Sequence, residues 1–140
     1  MLSTEQAELL IKEAETVARQ SYAPYSNFPV GAAVMSKSGR LHMGANIENA
    51  SYGLTVCAER VALMNAMMAG NAAKQDITAL AVWAAKPTNH AVTPCGACRQ
   101  VMVELMHPNA AVVHFCSEKP GELKIVPVKD LLPGAFSLSS

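Results

Sequence analysis

Three cysteines in two short segments have the types and spacing of metal ligands. Cys57 stands two residues before Glu59, and a Pro94-Cys95-x-x-Cys98 segment follows 38 positions after the first cysteine. Residues three apart share one face of a helical turn, so two thiolates at this spacing can bind one tetrahedral zinc ion. Three sulfurs leave the fourth position of the metal open, which is typical of catalytic rather than structural zinc sites.

Glu59 supplies the second part of this chemistry. It lies too close to Cys57 to be an easy fourth ligand, but a carboxylate there can take a proton from zinc-bound water and pass it to a substrate nitrogen. Zinc deaminases as a class combine such a metal with a glutamate proton carrier, and the two segments match that pattern. We therefore predict one zinc ion per chain, bound by Cys57, Cys95 and Cys98, with Glu59 as the catalytic residue.

Arg60 follows the proposed catalytic residue and has a charge argument of its own. Three thiolates on Zn²⁺ give the site a formal charge of about −1, which weakens its pull on a water proton. A guanidinium beside the ligands can donate to their sulfurs and withdraw that charge. Both ligand segments are also predicted to begin helices, where the positive end of the helix dipole favours thiolates.

The hydrophobic pattern predicts the elements that must position these residues. Three helices are predicted: a first helix that begins at a cap formed by Ser3 or Thr4, a second over 57–69 and a third over 95–106. Five strands are predicted over 30–36, 41–46, 77–84, 111–116 and 123–126. Strands joined through helices usually run parallel, and strands that are apolar throughout usually belong to a sheet with helices on both of its faces. The prediction is an α/β fold, a three-layer α/β/α sandwich around a mixed five-stranded sheet, in a single domain over 1–140. The pattern leaves the strand order open.

Composition narrows the classes of function. The chain has 140 residues, of which 51% are hydrophobic and 16% charged, so it can bury a core of its own. Eleven basic residues balance eleven acidic ones, which argues against nucleic acid as a partner and for a small, weakly charged substrate. No apolar run approaches the ~20 residues of a membrane span, and the N-terminal pattern is not that of a secretory signal. We therefore expect a cytoplasmic protein with reduced cysteines.

Five motifs, in the family's order, show that the chain resembles the small nucleoside cytidine deaminases over nearly its whole length. They are Phe-x-Val-Gly-Ala-Ala at 28–33, Asn-x-Glu-Asn-x-x-Tyr at 46–52, Cys-Ala-Glu-Arg at 57–60, Pro-Cys-Gly-Ala-Cys-Arg-Gln at 94–100 and Leu-Leu-Pro-Gly-Ala-Phe at 131–136. The resemblance implies hydrolytic deamination of cytidine and 2′-deoxycytidine, with release of ammonia, in pyrimidine salvage. It also implies a homotetramer whose sites are completed by neighbouring subunits.

The resemblance further implies a set of substrate-binding residues: Phe28, Asn46, Glu48, Tyr52, Ala58 and Phe136. Phe28 would stack on the pyrimidine, and Asn46 with Glu48 would hydrogen-bond the ribose hydroxyls. Backbone groups around Ala58 would read the edge of the base. Tyr52 and Phe136 would reach the site of a neighbouring subunit. In the family, the arginine at the position of Arg60 is thought to relieve the charge of the ligands.

Two alternatives stay open at the level of sequence. Cys57 in place of a histidine separates the chain from tRNA adenosine and deoxycytidylate deaminases, but a related aminopyrimidine nucleoside such as blasticidin S remains a candidate substrate.

A non-enzymatic alternative uses Cys116 as a fourth thiolate and gives a structural Cys₄ zinc-binding module. That closed site leaves Glu59 without a role, and Cys116 ends an apolar strand where a buried thiol is expected. Arg99 and Gln100 are assigned structural roles.

Overall fold

The computed structural model describes residues 2–71, 73–86, 92–115 and 122–138. In these ranges the α-helices are α1 (Thr4–Ala18), α2 (Ala58–Met68), α3 (Gly96–Leu105) and the single turn α4 (Val128–Leu131). The strands are β1 (Val30–Ser36), β2 (Leu41–Ala45), β3 (Ile77–Ala84), β4 (Ala111–Phe115) and β5 (Leu123–Pro127). Each predicted element is present, with ends that differ by a residue or two. The prediction that a strand reaches Cys116 lies outside the described residues.

The five strands form one sheet in the order β2-β1-β3-β4-β5. Strand β1 runs antiparallel to both β2 and β3, β3 and β4 are parallel, and β5 is antiparallel to β4. The parallel pair is the one joined through α3, as a crossover helix requires. The predicted mixed five-stranded sheet is therefore confirmed.

Alternate residues of the strands supply two separate apolar layers. On β1, Ala33 and Met35 pack with α1, whereas Ala32 and Val34 pack with residues of α2 and α3. The three-layer α/β/α arrangement is confirmed, with the helices that begin at the cysteines on one side of the sheet. Within the described ranges no helix is both long and apolar enough to span a membrane.

Two glycines allow the helices to approach the sheet closely. A Cβ atom at Gly31 would lie 1.8 Å from the carbonyl oxygen of Ala14 in α1, and one at Gly44 would lie 2.4 Å from the backbone nitrogen of Ala62 in α2. Both clashes are with backbone, so no side chain can move aside to relieve them. Gly44 thereby sets how α2, which carries Glu59 in its first turn, lies against the sheet.

Candidate metal and catalytic site

Two of the cysteines occupy equivalent positions at the starts of two helices. Cys57 is the N-cap of α2 and Cys95 is the N-cap of α3, and neither side chain makes a capping hydrogen bond. Each sulfur is therefore not engaged by its own helix, and it lies at the helix end where the first N–H groups lack intrahelical acceptors and the helix dipole is positive. The prediction that both ligand segments begin helices is confirmed. Cys98, one turn into α3, is fully buried.

The three sulfur atoms lie at the separations that one zinc ion requires. The Sγ atoms of Cys57 and Cys95 are 3.9 Å apart, and those of Cys95 and Cys98 are 3.4 Å apart. All three lie within 4.8 Å of one another, and no other His, Cys, Asp and Glu side chains of the described residues form such a group. Tetrahedral zinc with Zn–S bonds of about 2.3 Å places its sulfurs about 3.8 Å apart. The residues present therefore fit the ion.

The thiols of this cluster differ in how readily they ionise. A hydrogen bond from Cys98, together with the neighbouring Arg60, lowers the pKa of Cys57 to about 5. The pKa of Cys98 is raised, because its hydrogen bond to Cys57 and its burial both favour the protonated form. Cys57 therefore ionises more readily than Cys98, and metal binding displaces the thiol protons that remain.

Glu59 lies in the first turn of α2 with only 5% of its surface exposed. Burial, reinforced by the charge of Cys57, raises the pKa of its carboxyl group to about 7. A carboxyl group with a pKa near neutrality can both accept and release protons during turnover. The residue beside the sulfur cluster therefore has the protonation properties that a proton carrier needs.

Arg60 directs its guanidinium group back along the chain towards the first ligand. Its Nη2 atom donates to Cys57 Sγ at 3.5 Å and to the carbonyl oxygen of Thr55 at 3.5 Å. Its Nε atom is buried and has no hydrogen-bond partner among the described residues. The positive charge thus contacts a ligand sulfur, as the charge argument from the sequence requires.

Asn46 is buried and holds the segment that carries Phe28. Its Oδ1 atom accepts hydrogen bonds from the backbone N–H of Val30 at 2.9 Å and from the hydroxyl of Ser21, and its Nδ2 atom donates to the carbonyl oxygen of Phe28 at 3.0 Å. An amide nitrogen has two hydrogens, so one can still bind a ligand. Phe28 itself is half-buried. Asn46 therefore organises the start of β1 as well as being a predicted ribose contact.

Glu48 is held by a loop that the sequence pattern did not connect to it. Its Oε1 atom accepts from the backbone N–H groups of Tyr25 and Ser26 at 3.0 and 3.1 Å, and its Oε2 atom accepts from the Ser26 hydroxyl. The Ser26 hydroxyl, followed by the backbone donors, lowers the pKa of this carboxyl group. Glu48 is therefore an oriented carboxylate at neutral pH.

A groove with a volume of about 340 Å³ adjoins Glu48. Its lining consists of Tyr25, Ser26, Glu48, Asn49, Tyr52 and Thr55. The groove is joined to the metal cluster through backbone: Ile47, next to Glu48, and Val56, next to Cys57, exchange two hydrogen bonds of 2.9 Å each. The predicted ribose contact and the first metal ligand therefore lie on two directly paired segments.

The remaining predicted site residues differ in exposure. Ala58, the first residue of α2, is 1% exposed, and its N–H is one of those for which the helix offers no carbonyl acceptor. Tyr52 is 75% exposed, with its ring 6.0 Å from that of Tyr25 in an edge contact. Phe136 is 68% exposed, and its carbonyl oxygen accepts from Gln100 Nε2 at 3.1 Å. Both aromatic rings are available to a second molecule.

Sequence reasoning missed three residues that build the site. Ser21 fixes Asn46, Ser26 fixes Glu48, and the carbonyl of Thr55 fixes Arg60. Ser26 also accepts from the backbone N–H of Phe28 at 3.0 Å, so one hydroxyl links two predicted substrate contacts. The position of Ser26, two residues before Phe28, could have predicted this contact, because serine in a loop commonly hydrogen-bonds to nearby backbone.

Known proteins are similar to this chain in both sequence and fold. Residues 4–115 match the family model described as the cytidine and deoxycytidylate deaminase zinc-binding region. The chain belongs to this family. It is 48% identical over 130 residues to the cytidine deaminase of Halalkalibacterium halodurans, covering 93% of each chain, and 43% identical to that of Sporosarcina psychrophila, covering 93% of this chain and 90% of the relative.

A solved structure of a cytidine deaminase from Burkholderia pseudomallei is similar in fold. It superposes with a TM-score of 0.85 at 45% sequence identity, covering 92% of this chain and 98% of that one. The region matched by the family model includes the three clustered cysteines and Glu59. The resemblance inferred from the motifs is therefore confirmed, as is zinc as the metal of this family. Cys116, which the alternative closed site needs, lies outside the described residues.

Proposed function

We propose that this protein hydrolyses cytidine and 2′-deoxycytidine to uridine and 2′-deoxyuridine, with release of ammonia. One observation carries the proposal: three sulfurs converge at zinc-binding separations beside a carboxyl group that is 5% exposed, in a chain of the deaminase family. Three protein ligands leave a coordination position for reaction, whereas a structural site would be closed by a fourth. The buried carboxyl group then has a catalytic use.

The proposed mechanism divides the work between the metal and Glu59. When bound, zinc supplies a Lewis acid that makes water nucleophilic at neutral pH. Glu59 accepts the proton that the attacking water releases and delivers it to N3 of the pyrimidine as the water oxygen adds to C4. It then delivers the second proton of that water to the 4-amino group, which leaves as ammonia. Arg60, by donating to Cys57 Sγ, offsets the negative charge of the three thiolates.

Recognition of the nucleoside is assigned to the segments paired with the metal loop. Phe28 stacks on the pyrimidine, and the free N–H of the Asn46 amide binds a ribose hydroxyl. The Glu48 carboxylate, kept ionised by its hydrogen bonds to the loop at Tyr25 and Ser26, accepts from a second hydroxyl. These assignments are supported by the backbone pairing of Ile47 with Val56, which ties the recognition segment to the first metal ligand.

The groove beside Glu48 favours a free nucleoside over a nucleotide. None of the six residues that line it is a cation, and one of them is a carboxylate. A 5′-phosphate placed there would meet a negative charge and find no Lys or Arg partner in that lining. We therefore infer cytidine and deoxycytidine rather than their monophosphates as substrates, although the family includes both kinds of deaminase.

A homotetramer is the proposed assembly, with Tyr52 and Phe136 serving the site of a neighbouring subunit. Several large apolar side chains are exposed in the single chain: Tyr52 75%, Leu54 66%, Met68 86% and Phe136 68%. Such side chains would lose this exposure to water if they lay in contact regions between subunits, which supports the proposed assembly. Three free thiols that must stay reduced to bind zinc fit a cytoplasmic location.

Ammonia release tests the proposal. The purified protein, loaded to about one zinc per chain, should release ammonia from cytidine and deoxycytidine, with absorbance changes that match formation of the uracil nucleoside. Cytidine 5′-monophosphate, free cytosine and blasticidin S in parallel reactions test the substrate class. A zinc-loaded protein that leaves both nucleosides unchanged contradicts the proposal, and faster turnover of the monophosphate contradicts the argument from the groove.

A further inference from the structure

Two consecutive residues of the ligand helix hold the C-terminal segment of the chain. Arg99 donates from Nε to the carbonyl of Pro94 at 2.8 Å and from Nη1 to the carbonyl of Leu131 at 2.9 Å. Gln100 donates from Nε2 to the carbonyl of Phe136 at 3.1 Å. These donors directly follow Cys98, the last metal ligand. The helix that bears two ligands is therefore bonded to both ends of the 131–136 segment.

The two ends of this segment differ in how firmly packing holds them. Leu131 is only 8% exposed and belongs to the apolar core beneath α3, whereas the Phe136 ring is 68% exposed. Between them the chain turns at Gly134, whose φ of 66° lies in the left-handed region. Burial thus fixes the start of the segment but not its end. At the end, the backbone carbonyl of the residue that bears the exposed ring accepts a directed hydrogen bond from Gln100.

We propose that Gln100 is a positioning residue that sets Phe136 for the nucleoside bound by a neighbouring subunit. The inference rests on the proposed function, in which Phe136 completes a neighbour's site. Gln100 acts through its amide N–H, which bonds the carbonyl of Phe136 and leaves the aromatic ring free. In this arrangement α3 of one subunit holds the Phe136 that contacts the nucleoside in the neighbouring subunit.

The test replaces the donor while keeping the shape of the side chain. Glutamate is nearly isosteric with glutamine, but an ionised carboxylate cannot donate to a carbonyl. In the zinc-loaded enzyme, Gln100→Glu and Gln100→Ala should each raise KM for cytidine about three- to tenfold, the effect of losing one hydrogen bond, with kcat and zinc content unchanged. Gln75→Ala, at an exposed glutamine of another segment, is the control and should leave KM unaltered.

A double mutant separates positioning from a general structural role. If Gln100 acts through Phe136, Gln100→Ala should add nothing to the KM of Phe136→Ala. A further rise of KM in the Phe136→Ala background, a fall in kcat or a loss of zinc would overturn the proposal. So would an unchanged KM in both Gln100 variants.

Mixed assemblies test whether the effect crosses between subunits. Wild-type subunits can be co-assembled with an excess of Glu59→Gln subunits that carry either Gln100 or Gln100→Ala, so that activity comes from the wild-type subunits. The KM of these active subunits should rise when their inactive neighbours carry Gln100→Ala. An equal KM in the two mixtures overturns the inference. A wild-type enzyme inactive on nucleosides would instead contradict the proposed function itself.

Discussion

The cysteine cluster and the groove beside Glu48 are built in contrasting ways, although they lie on directly paired segments. The cluster consists of sulfurs and a carboxyl group at the starts of two helices, and Glu59 and Cys98 there are almost fully buried. The groove consists of loop residues, and its Glu48 is bound by loop backbone and a serine hydroxyl near the surface. The environments move the pKa of the two carboxyl groups in opposite directions: that of Glu59 up to about 7, that of Glu48 down.

This contrast indicates how the work is divided. The residues proposed to do chemistry are all present and oriented within a single chain, because helix starts and core packing fix them. Of the residues proposed to recognise the substrate, Asn46 and Ala58 are buried, whereas Tyr52 and Phe136 expose most of their surface. We infer that the chemical region is complete in each subunit, whereas recognition depends on a neighbour. Substitutions in the first region should act on kcat, and those in the second on KM.

The largest expected effect comes from removing Glu59, the proposed proton carrier. Glu59→Gln keeps the size of the side chain but abolishes proton transfer, so kcat should fall by about 10²- to 10⁴-fold while zinc content stays near one per chain. Steady-state ammonia release and metal analysis of the same sample measure both quantities. Glu104→Gln, at an exposed position on α3, is the matched control and should retain full activity. Substantial turnover by the Glu59 variant would remove this residue from the mechanism.

Arg60 should produce a smaller loss of the same kind. Arg60→Gln removes the positive charge 3.5 Å from Cys57 Sγ, and changes of this type beside metal ligands typically cost 10- to 100-fold in activity or metal affinity. We expect kcat to fall by about tenfold with KM nearly unchanged, in a folded protein. Arg19→Gln, at an exposed position just after α1, should have no effect. An unchanged rate for Arg60→Gln would refute the charge-relief argument.

Most of the chemical region could be predicted from the sequence, because local rules determine where its residues lie on the helices. Helical periodicity and the loops before Cys57 and Cys95 placed both cysteines at helix starts, and a spacing of three put Cys98 beside Cys95. Alternation and apolar runs predicted the strands. The match to family motifs then supplied the convergence of the two segments, which spacing alone could not establish.

The groove was less predictable because its contacts join distant parts of the chain. Glu48 is held by Ser26, 22 residues earlier, and Asn46 by Ser21, 25 residues earlier. Which loop lies against which depends on the strand order, and hydrophobic pattern does not determine that order. The contact from Gln100 to Phe136 has the same origin, since it spans 36 residues. Local sequence rules assigned Gln100 no role beyond structure.

His114 provides a test of the layer that supports the ligand helix. It is 1% exposed, neither ring nitrogen has a hydrogen-bond partner among the described residues, and burial, with Lys124 of β5 and Arg99 of α3 nearby, lowers its pKa to about 4. Because the pKa is lower in the folded state, the stability from neutral His114 is present above pH 6.5 and is lost as the pH falls towards 4.

Urea denaturation of wild type and His114→Leu at pH 7 and 4.5 measures this effect. The free energy of unfolding of wild type should fall by about 2 kcal/mol more than that of the variant over this interval, because the leucine cannot be protonated. Acid also protonates the zinc thiolates, but it does so in both proteins, so the difference isolates His114. Equal losses in the two proteins would show that the histidine is not the group that titrates.

Glu48→Gln should give the smallest effect and is the counterpart of Glu59→Gln. A glutamine can still accept from the N–H groups of Tyr25 and Ser26 and can donate to the Ser26 hydroxyl, so the loop should keep its shape. What is lost is the charge on an acceptor for a ribose hydroxyl, which should raise KM for cytidine about fivefold and leave kcat unchanged. The same change removes the negative charge of the groove, so discrimination against cytidine 5′-monophosphate should weaken. A fall in kcat comparable with that of Glu59→Gln would instead mean that recognition and chemistry are not separated in this site.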